Sequence, residues 1–226
     1  MCGRYTNHLT WREIVELYDL TATDYAPNLE PRYNIAPTQR APVVRITPDG
    51  GRELAMLRWG LVPHWSPGPE SRYSTINARA ETVRTKPSYR DAFRHRRCLV
   101  PASGYYEWQA TESGKQPSYF RLDGGRPMTF AGLWERWERK GPEEAIESFA
   151  IVVTEAAPAI RHLHDRMPVL LAPGEFGTWM TGDADAAAAL LKPHLADDLV
   201  VHKVSRRVNS PKNDDASCIV EQASPA

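Results

Sequence analysis

The chain has 226 residues with 28 basic and 28 acidic side chains, so it carries no net charge when its histidines are neutral. Hydrophobic residues make up 42% and charged residues 25%, which is typical of a soluble globular domain and excludes a largely disordered chain. No apolar run approaches the roughly 18 residues of a membrane span, and the first residues lack the apolar core of a secretory signal. We therefore expect a cytoplasmic protein whose three cysteines, Cys2, Cys98 and Cys218, are reduced.

The charges are unevenly distributed along the chain. Residues 72–97 contain eight basic and two acidic side chains, whereas residues 98–226 carry an acidic excess. A basic segment of this kind can follow the phosphate backbone of a nucleic acid, and its last residues, 94–97, would extend the nucleic-acid groove. A solvated surface with no partner is an equally good interpretation of the charge alone.

The predicted elements begin with a short helix. Thr10 and Glu13 form a capping-box pattern at the start of a helical apolar repeat, which predicts a helix over 11–19. Two β-prone segments, 41–47 and 52–62, flank a turn and predict a hairpin. Further strands are predicted at 97–109, 117–122, 127–134, 148–154, 167–172 and 199–204, helices at 88–95, 155–162, 174–180 and 184–195, and an exposed loop at 138–147.

These elements predict an α+β protein dominated by strands. Strands and helices do not alternate regularly, so we expect a curved, mainly antiparallel sheet or an open β-barrel flanked by short helices. The sequence has no internal repeat and no long linker, which favours one domain over residues 2–215 with a C-terminal tail at 216–226.

Cys2 is the first candidate for chemistry. Removal of the initiator methionine would place an α-amine beside its thiol, and a terminal α-amine has a pKa of about 7.7–8.0. Such an amine condenses with an aldehyde to an imine, and the thiol can then close a five-membered thiazolidine. Alternatively, an N-terminal cysteine is an acyl-transfer nucleophile with its own amine as base. A chance cysteine at a frayed terminus is the third interpretation.

Two further segments carry polar groups suited to a site. Asn77 and Arg79 share one face of an extended chain, where an amide can orient a reacting group and a guanidinium can hold a phosphate or carboxylate. Glu107 lies among aromatic residues, which favours a raised carboxyl pKa and acid–base work. A turn asparagine, a surface arginine and a solvent-facing glutamate are the alternatives.

Histidine and tryptophan supply the remaining candidates. His162 and His164 flank Leu163, and either imidazole is suited to proton transfer near neutral pH, although an exposed or structural histidine is as common. No ligand spacing supports a metal site, and no cofactor is implied. Trp65 follows Trp59 in a proline-rich loop near the basic segment and is the better candidate for stacking on a base of single-stranded nucleic acid.

Eight segments in order resemble one known family over roughly residues 2–215. They are MCGRY, YNIAPTQ (33–39), RWGLVPHW (58–65), INARAET (76–82), CLVPASGYYEW (98–108), FAGLWE (130–135), HDRMPV (164–169) and VNSPKND (208–214). Together they closely resemble the SOS-response-associated peptidase (SRAP) family. Tyr105 stands where phenylalanine is frequent in the family, a difference that we expect to change little.

The resemblance implies a function and a set of residues. Members of the family sense abasic sites in single-stranded DNA and form a covalent thiazolidine crosslink to the ring-opened sugar. The family's catalytic residues match Cys2, Asn77, Glu107 and His164, rather than His162, in this sequence. Arg79 matches the arginine beside that asparagine, and we predict DNA contacts from Arg4, Trp65, Arg79 and Arg84. We expect a bacterial cytoplasmic monomer that associates with the nucleoid when it is bound to DNA.

Three other activities stay open at this point. An N-terminal-nucleophile (auto)peptidase would use the same four side chains to cut a peptide bond. An abasic-site lyase would result if the imine persisted and underwent β-elimination. A non-catalytic binding module would hold single-stranded DNA in a salt-sensitive way, with no covalent product and no dependence on Cys2.

Overall fold

The computed structural model describes residues 2–20, 29–69, 74–112, 114–138, 145–195 and 197–222. The strands are β1 (Arg4–Asn7), β2 (Arg32–Ile35), β3 (Arg40–Ile46), β4 (Arg52–Trp59), β5 (Asn77–Arg79), β6 (Arg97–Ala102), β7 (Gly104–Thr111), β8 (Gly114–Leu122), β9 (Met128–Glu138), β10 (Ala145–Glu155), β11 (Arg166–Pro168) and β12 (Leu199–Lys203). The α-helices are α1 (Trp11–Tyr18), α2 (Arg90–His95), α3 (Phe176–Thr181) and α4 (Ala184–Ala188). In these ranges no helix is long and apolar enough to cross a membrane.

The strands form two sheets, one of which closes on itself. The larger sheet has the order β11-β10-β4-β3-β6-β9, and β9 pairs again with β10 to complete a barrel. The smaller sheet has the order β12-β8-β7-β1-β2. Most pairs are antiparallel, but β4 and β5 each run parallel to β10. The predicted strand-dominated α+β fold with a curved, mainly antiparallel architecture is therefore confirmed.

The core follows from alternation along the barrel strands. One set of side chains, including Val44, Leu99 and Val152, packs against residues of α1, α2 and α3. The alternate set, including Val43 and Ile151, faces the smaller sheet and forms the second apolar cluster. Because successive side chains on a strand point to opposite faces, each barrel strand contributes to both clusters.

Several predicted elements are confirmed where local signals determine them. Helix α1 begins with the predicted capping box, in which the Thr10 side chain accepts a hydrogen bond from the Glu13 amide and the Glu13 carboxylate accepts one from the Thr10 amide. The predicted hairpin is β3 and β4, paired from Arg40–Arg58 to Ile46–Arg52. The predicted loop 138–147 is strand at both ends, and residues 139–144 lie outside the described residues.

Other predicted elements are wrong in extent. The strand predicted at 97–109 is two strands in different sheets, because the Ser103 amide bonds to Thr6 and the chain then leaves the barrel. Gly104 is required there, since a Cβ atom would collide with the Tyr119 ring. The helix predicted at 155–162 is only a 3-10 turn at Pro158–Ile160, within a loop closed by the Ala156 amide and the Asp165 carbonyl group.

Two more predictions overestimate the length of an element, and three short strands were not predicted. The helix predicted at 184–195 is the five-residue α4, and the strand predicted at 167–172 is the three-residue β11. The unpredicted strands are β1, β2 and β5, with four, four and three residues. A strand of three or four residues is too short to show an alternation of apolar and polar side chains in the sequence. These strands form because partners elsewhere in the chain pair with them.

Candidate active site

Cys2 is buried two residues before β1, the strand that lies between β7 and β2 in the smaller sheet. It has no exposed surface, and Arg4 of β1 lies opposite Tyr106 of β7. Continued towards the terminus, this antiparallel register brings Cys2 to the part of β7 that carries Glu107. Its Sγ atom lies 3.9 Å from the Arg4 carbonyl oxygen. Burial, followed by the negative charge of Glu107, raises the pKa of the thiol well above its usual value, so the thiol is protonated at neutral pH.

Asn77 fixes the backbone of Cys2 from the other sheet. Its Nδ2 atom donates a 2.8 Å hydrogen bond to the Cys2 carbonyl oxygen, and its own carbonyl oxygen accepts one from the Tyr89 hydroxyl at 3.0 Å. The side chain is buried, and within the described residues its Oδ1 atom has no hydrogen-bond partner. Asn77 therefore holds the terminus with its donor and keeps an acceptor available.

Glu107 is a buried carboxylic acid on β7. Only 3% of the residue is exposed, and burial raises its pKa to about 7. Both protonation states are therefore well populated at neutral pH, which suits a group that gives and takes protons in one reaction.

His164 approaches Glu107 from the loop between β10 and β11. Its Nε2 atom lies 3.5 Å from the Glu107 Oε2 atom. Its Nδ1 atom lies 3.0 Å from the Arg166 amide nitrogen and 3.2 Å from the Arg166 carbonyl oxygen, and these contacts hold the ring with Nε2 facing the carboxyl group. Burial lowers the pKa of His164, so the neutral ring dominates at pH 7.

Strand β10 explains why these residues meet although they are distant in sequence. Asn77 pairs with Ile151 of β10, whereas Arg166 pairs with Glu155 at the end of the same strand. One strand thus carries the Asn77 segment and the His164 loop, and the smaller sheet supplies Cys2 and Glu107.

A cavity of about 420 Å³ opens above the Glu107–His164 pair. Its lining residues combine carboxyl, imidazole, cationic and indole groups: Gly3, Arg4, Glu107, Trp108, Lys115, His164 and Asn209. Arg4 donates to Asn34 Oδ1 at 2.8 Å and to the Val208 carbonyl oxygen at 2.9 Å, and it lies 5.8 Å from the Trp108 ring centroid. In the described ranges, no group of three His, Cys, Asp or Glu side chains is arranged to hold a metal ion.

The other predicted DNA-contact residues are exposed but do not line this cavity. Arg79 follows Asn77 at the end of β5, and Arg84 forms a 2.5 Å ion pair with Asp185. Trp65 is 53% exposed, and its indole nitrogen donates to the Pro87 carbonyl oxygen at 3.3 Å.

The basic segment 72–97 is not all surface. Arg97 is 5% exposed, and its guanidinium donates to the backbone carbonyl groups of Phe93, Trp179 and Gly182. Arg96 donates to the buried Glu135 at 2.7 Å. The expectation that 94–97 extends a DNA-binding surface therefore fails for Arg97, which is structural. His162 is exposed, with its carbonyl oxygen bonded to Gln109 at 3.2 Å.

Besides Gly3, the cavity is lined by Trp108, Lys115 and Asn209, which were not predicted as site residues from the sequence. Alternation along β7 places Trp108 on the face opposite Glu107, yet both residues line the cavity. Lys115 follows from the β7–β8 register, in which it lies opposite Ala110. Asn209 accepts the Trp108 indole hydrogen at 2.8 Å, and only the segment VNSPKND indicated its importance.

Comparison with known proteins defines the family of this site. The model of the family "SOS response associated peptidase (SRAP)" matches residues 1–211. The chain belongs to the SRAP family, which confirms the resemblance found in its sequence.

The matched relatives include bacterial and vertebrate proteins. The abasic site processing protein YoaM of Bacillus subtilis (strain 168) is 36% identical over 224 residues, which cover 97% of each chain. The abasic site processing protein HMCES of Xenopus tropicalis is 31% identical over 84% of this chain and 66% of its own length. A crystal structure of a protein from Bacteroides thetaiotaomicron has a TM-score of 0.85 and 25% identity, and the match covers 98% of this chain and 100% of the other.

Proposed function

We propose that this protein processes abasic sites in single-stranded DNA by forming a covalent thiazolidine crosslink through Cys2 after removal of Met1. The observation that carries the proposal is the convergence at Cys2. Asn77 holds its carbonyl oxygen, and the Glu107–His164 pair lies at the floor of an adjoining cationic cavity. The names of the relatives YoaM and HMCES support the choice of an abasic site as substrate.

The chemistry needs an amine, an aldehyde and two proton transfers. The Cys2 amine attacks the aldehyde carbon of the ring-opened sugar and forms a carbinolamine, which loses water to give an imine. The thiol then adds across the imine, so that a sulfur–carbon bond forms and the thiol proton ends on nitrogen. Loss of water is the only net release, and no oxidant or reductant is needed.

Glu107 and His164 supply the proton transfers in this scheme. Glu107 in its acid form protonates the departing oxygen of the carbinolamine, which its pKa of about 7 permits at neutral pH. During ring opening, neutral His164 accepts the proton of the sugar hydroxyl at Nε2 while Glu107 in its acid form protonates the ring oxygen, and the imidazolium then returns its proton to Glu107. Asn77 keeps the amine and thiol in place by its bond to the Cys2 carbonyl oxygen.

The DNA backbone is held by positive charge around the cavity. Arg4 and Lys115 lie at the cavity itself, and we propose phosphate contacts for them. Trp108 offers an indole face to a neighbouring base, as exposed Trp65 does farther away. Arg79 and Arg84 extend the positive surface, and Arg84 must exchange its ion pair with Asp185 for a phosphate.

The state of the thiol favours amine chemistry over peptide hydrolysis. Acyl transfer begins with attack by a thiolate, and the burial that raises the pKa of Cys2 disfavours that anion. In the crosslinking reaction the amine attacks first, and the thiol acts only after the imine has been placed beside it. The same buried thiol therefore fits the second step of crosslinking better than the first step of proteolysis.

Denaturing gel electrophoresis without borohydride tests the proposal. Met1-processed protein is mixed with a single-stranded oligonucleotide that contains one abasic site, or with an otherwise identical oligonucleotide that has an intact base. A slow, heat-stable band with the abasic oligonucleotide alone is the expected result. Absence of that band with correctly processed protein contradicts crosslinking, and a cleaved oligonucleotide in its place indicates a lyase.

Asn77→Ala is expected to slow adduct formation about 100-fold, because the Cys2 carbonyl oxygen loses the side-chain donor that holds it and the reacting atoms lose their alignment. The rate is measured under single-turnover conditions, and the melting temperature confirms folding. Asn213→Ala is the matched control, since the Asn213 side chain donates to the Arg207 carbonyl oxygen at 2.7 Å rather than to Cys2 and does not line the cavity. A wild-type rate in Asn77→Ala contradicts this role.

Lys115→Gln is expected to weaken binding to an intact single-stranded oligonucleotide about three- to tenfold at low salt. The slope of log affinity against log salt concentration becomes shallower by about 0.7, the value for one phosphate contact on a single strand. Lys192→Gln is the control, because Lys192 lies at a different cavity and approaches Glu175 at 3.8 Å. An unchanged salt slope in Lys115→Gln excludes a phosphate contact.

A further inference from the structure

Two tyrosines lie buried in the apolar cluster that contains Cys2. Tyr5 of β1 and Tyr105 of β7 are register partners, and neither residue has exposed surface. Tyr5 packs edge-on against Trp59 with ring centroids 5.1 Å apart, and Tyr105 stacks on Phe120 at 4.7 Å. These contacts fix the directions of both phenol rings.

The hydroxyl groups of these two tyrosines differ from those of the other buried tyrosines. Within the described residues, neither the Tyr5 nor the Tyr105 hydroxyl has a hydrogen-bond partner. The other four buried tyrosine hydroxyls are all bonded: Tyr18 to Thr129, Tyr89 to Asn77, Tyr106 to Tyr33 and Tyr119 to Thr6. A buried hydroxyl without a partner is costly, and phenylalanine would fill the same space without that cost.

Cys2 lies in the same apolar cluster as both tyrosines, three residues before Tyr5 and beside the β1–β7 register that pairs the two rings. Burial raises the pKa of both phenols, and the charge of an ionised Cys2 raises each of them further, as expected for close neighbours. Among the described residues, the thiol makes one weak contact, 3.9 Å from the Arg4 carbonyl oxygen. Two unpartnered donors and an almost unpartnered sulfur thus share one dry cluster.

Closure of the thiazolidine is the step that needs such donors. The sulfur must become nucleophilic inside a core where burial disfavours the thiolate. Hydrogen bonds to a sulfur that gains negative charge are stronger than those to the neutral thiol, so donors placed there favour the transition state over the ground state.

We propose that the hydroxyls of Tyr5 and Tyr105 donate hydrogen bonds to the Cys2 sulfur while the ring closes. In this step the sulfur–carbon bond forms, the imine π electrons move to nitrogen, and the thiol proton reaches that nitrogen through Glu107. The phenols keep their protons throughout. This inference rests on the proposed function. It also gives a role to the Tyr105 hydroxyl, although phenylalanine is frequent at this position in the family.

Separate measurement of imine formation and ring closure tests the inference. Single-turnover reactions of Tyr5→Phe, Tyr105→Phe and the double variant are sampled with and without borohydride, which traps the imine. We expect imine formation within twofold of wild type and closure about tenfold slower in each single variant. More strand cleavage accompanies the longer-lived imine. Melting temperatures are expected to be unchanged or higher, because each variant removes an unpartnered hydroxyl.

Tyr106→Phe is the matched control. Tyr106 neighbours Tyr105 on β7 but belongs to another cluster, and its hydroxyl donates to the Tyr33 carbonyl oxygen at 2.6 Å. Its loss is expected to leave closure at the wild-type rate.

The possible results separate this inference from the proposed function. If wild type forms the heat-stable adduct and the Phe variants close at the same rate, the donor role is overturned while crosslinking stands. If the variants slow imine formation and closure equally, the tyrosines only shape the site, which also overturns the donor role. If wild type forms no adduct, the proposed function itself fails.

Discussion

Cys2→Ala is expected to lower the yield of heat-stable adduct at least about 100-fold while leaving an imine that borohydride can trap. The alanine amine still condenses with the aldehyde, but no sulfur lies two bonds away to close the ring. An intramolecular nucleophile held in place has an effective concentration of about 10⁵–10⁸ M, which no external thiol can replace. The persistent imine is expected to undergo β-elimination, so the variant cleaves the strand. Cys2→Ser is expected to behave in the same way.

The other cysteines provide matched controls on the same gel. Cys98 and Cys218 are also buried and unbridged, and burial raises the pKa of both thiols. Cys98 lies in the barrel wall against Gly132, and the Cys218 thiol donates to the Asn213 carbonyl oxygen at 3.4 Å. Cys98→Ala and Cys218→Ala are expected to keep the wild-type adduct. An undiminished adduct in Cys2→Ala would refute the proposed thiazolidine.

The parts of the fold that the sequence predicted are those with local causes. The capping box of α1 and the β3–β4 hairpin each depend on residues within one short segment. Strand β5 has three residues and exists because β10 offers a parallel partner, an arrangement that no local pattern encodes. The division of β6 from β7 likewise depends on Thr6, which is about 100 residues away along the chain.

The candidate site was predicted by motif and completed by geometry. The resemblance supplied Cys2, Asn77, Glu107 and His164, but it did not supply the hydrogen bond that Asn77 makes or the contact between His164 and Glu107. Charge counting was a poorer guide, because it does not distinguish an exposed arginine from Arg97, which is enclosed by backbone carbonyl groups. The charge of an arginine can be read from the sequence, but its burial depends on how distant segments of the chain pack around it.

Glu107→Gln is expected to slow adduct formation about 100- to 1,000-fold and to change the shape of its pH profile. In wild type the reaction needs Glu107 in its protonated form, which dominates below its pKa of about 7. It also needs the α-amine in its neutral form, which dominates above a pKa of about 7.7–8.0. The rate is therefore expected to be greatest between roughly pH 7 and 8 and to fall on both sides. Glutamine removes the alkaline fall and leaves a residual rate that rises to a plateau as the amine loses its proton.

Single-turnover rates between about pH 5.5 and 9.5 measure this profile. Glu16→Gln, an exposed change on α1, is the control and keeps the wild-type profile. An alkaline fall that persists in Glu107→Gln would show that another group supplies the proton.

The same substitution is expected to increase stability, which connects the carboxyl group to function rather than folding. The pKa of Glu107 is 4.5 in the unfolded chain and about 7 in the folded protein, so the native protein binds the proton more tightly than the unfolded chain. The contribution of this group to the free energy of unfolding is therefore greatest below pH 4.5 and is lost as the pH rises to 7. The loss is about 3 kcal/mol above pH 7, and Glu107→Gln avoids it.

Denaturant unfolding of both proteins at pH 5 and pH 8 measures the difference. A variant that gains no stability relative to wild type at pH 8 would mean that Glu107 is ionised at no cost, which removes the basis for its role as an acid.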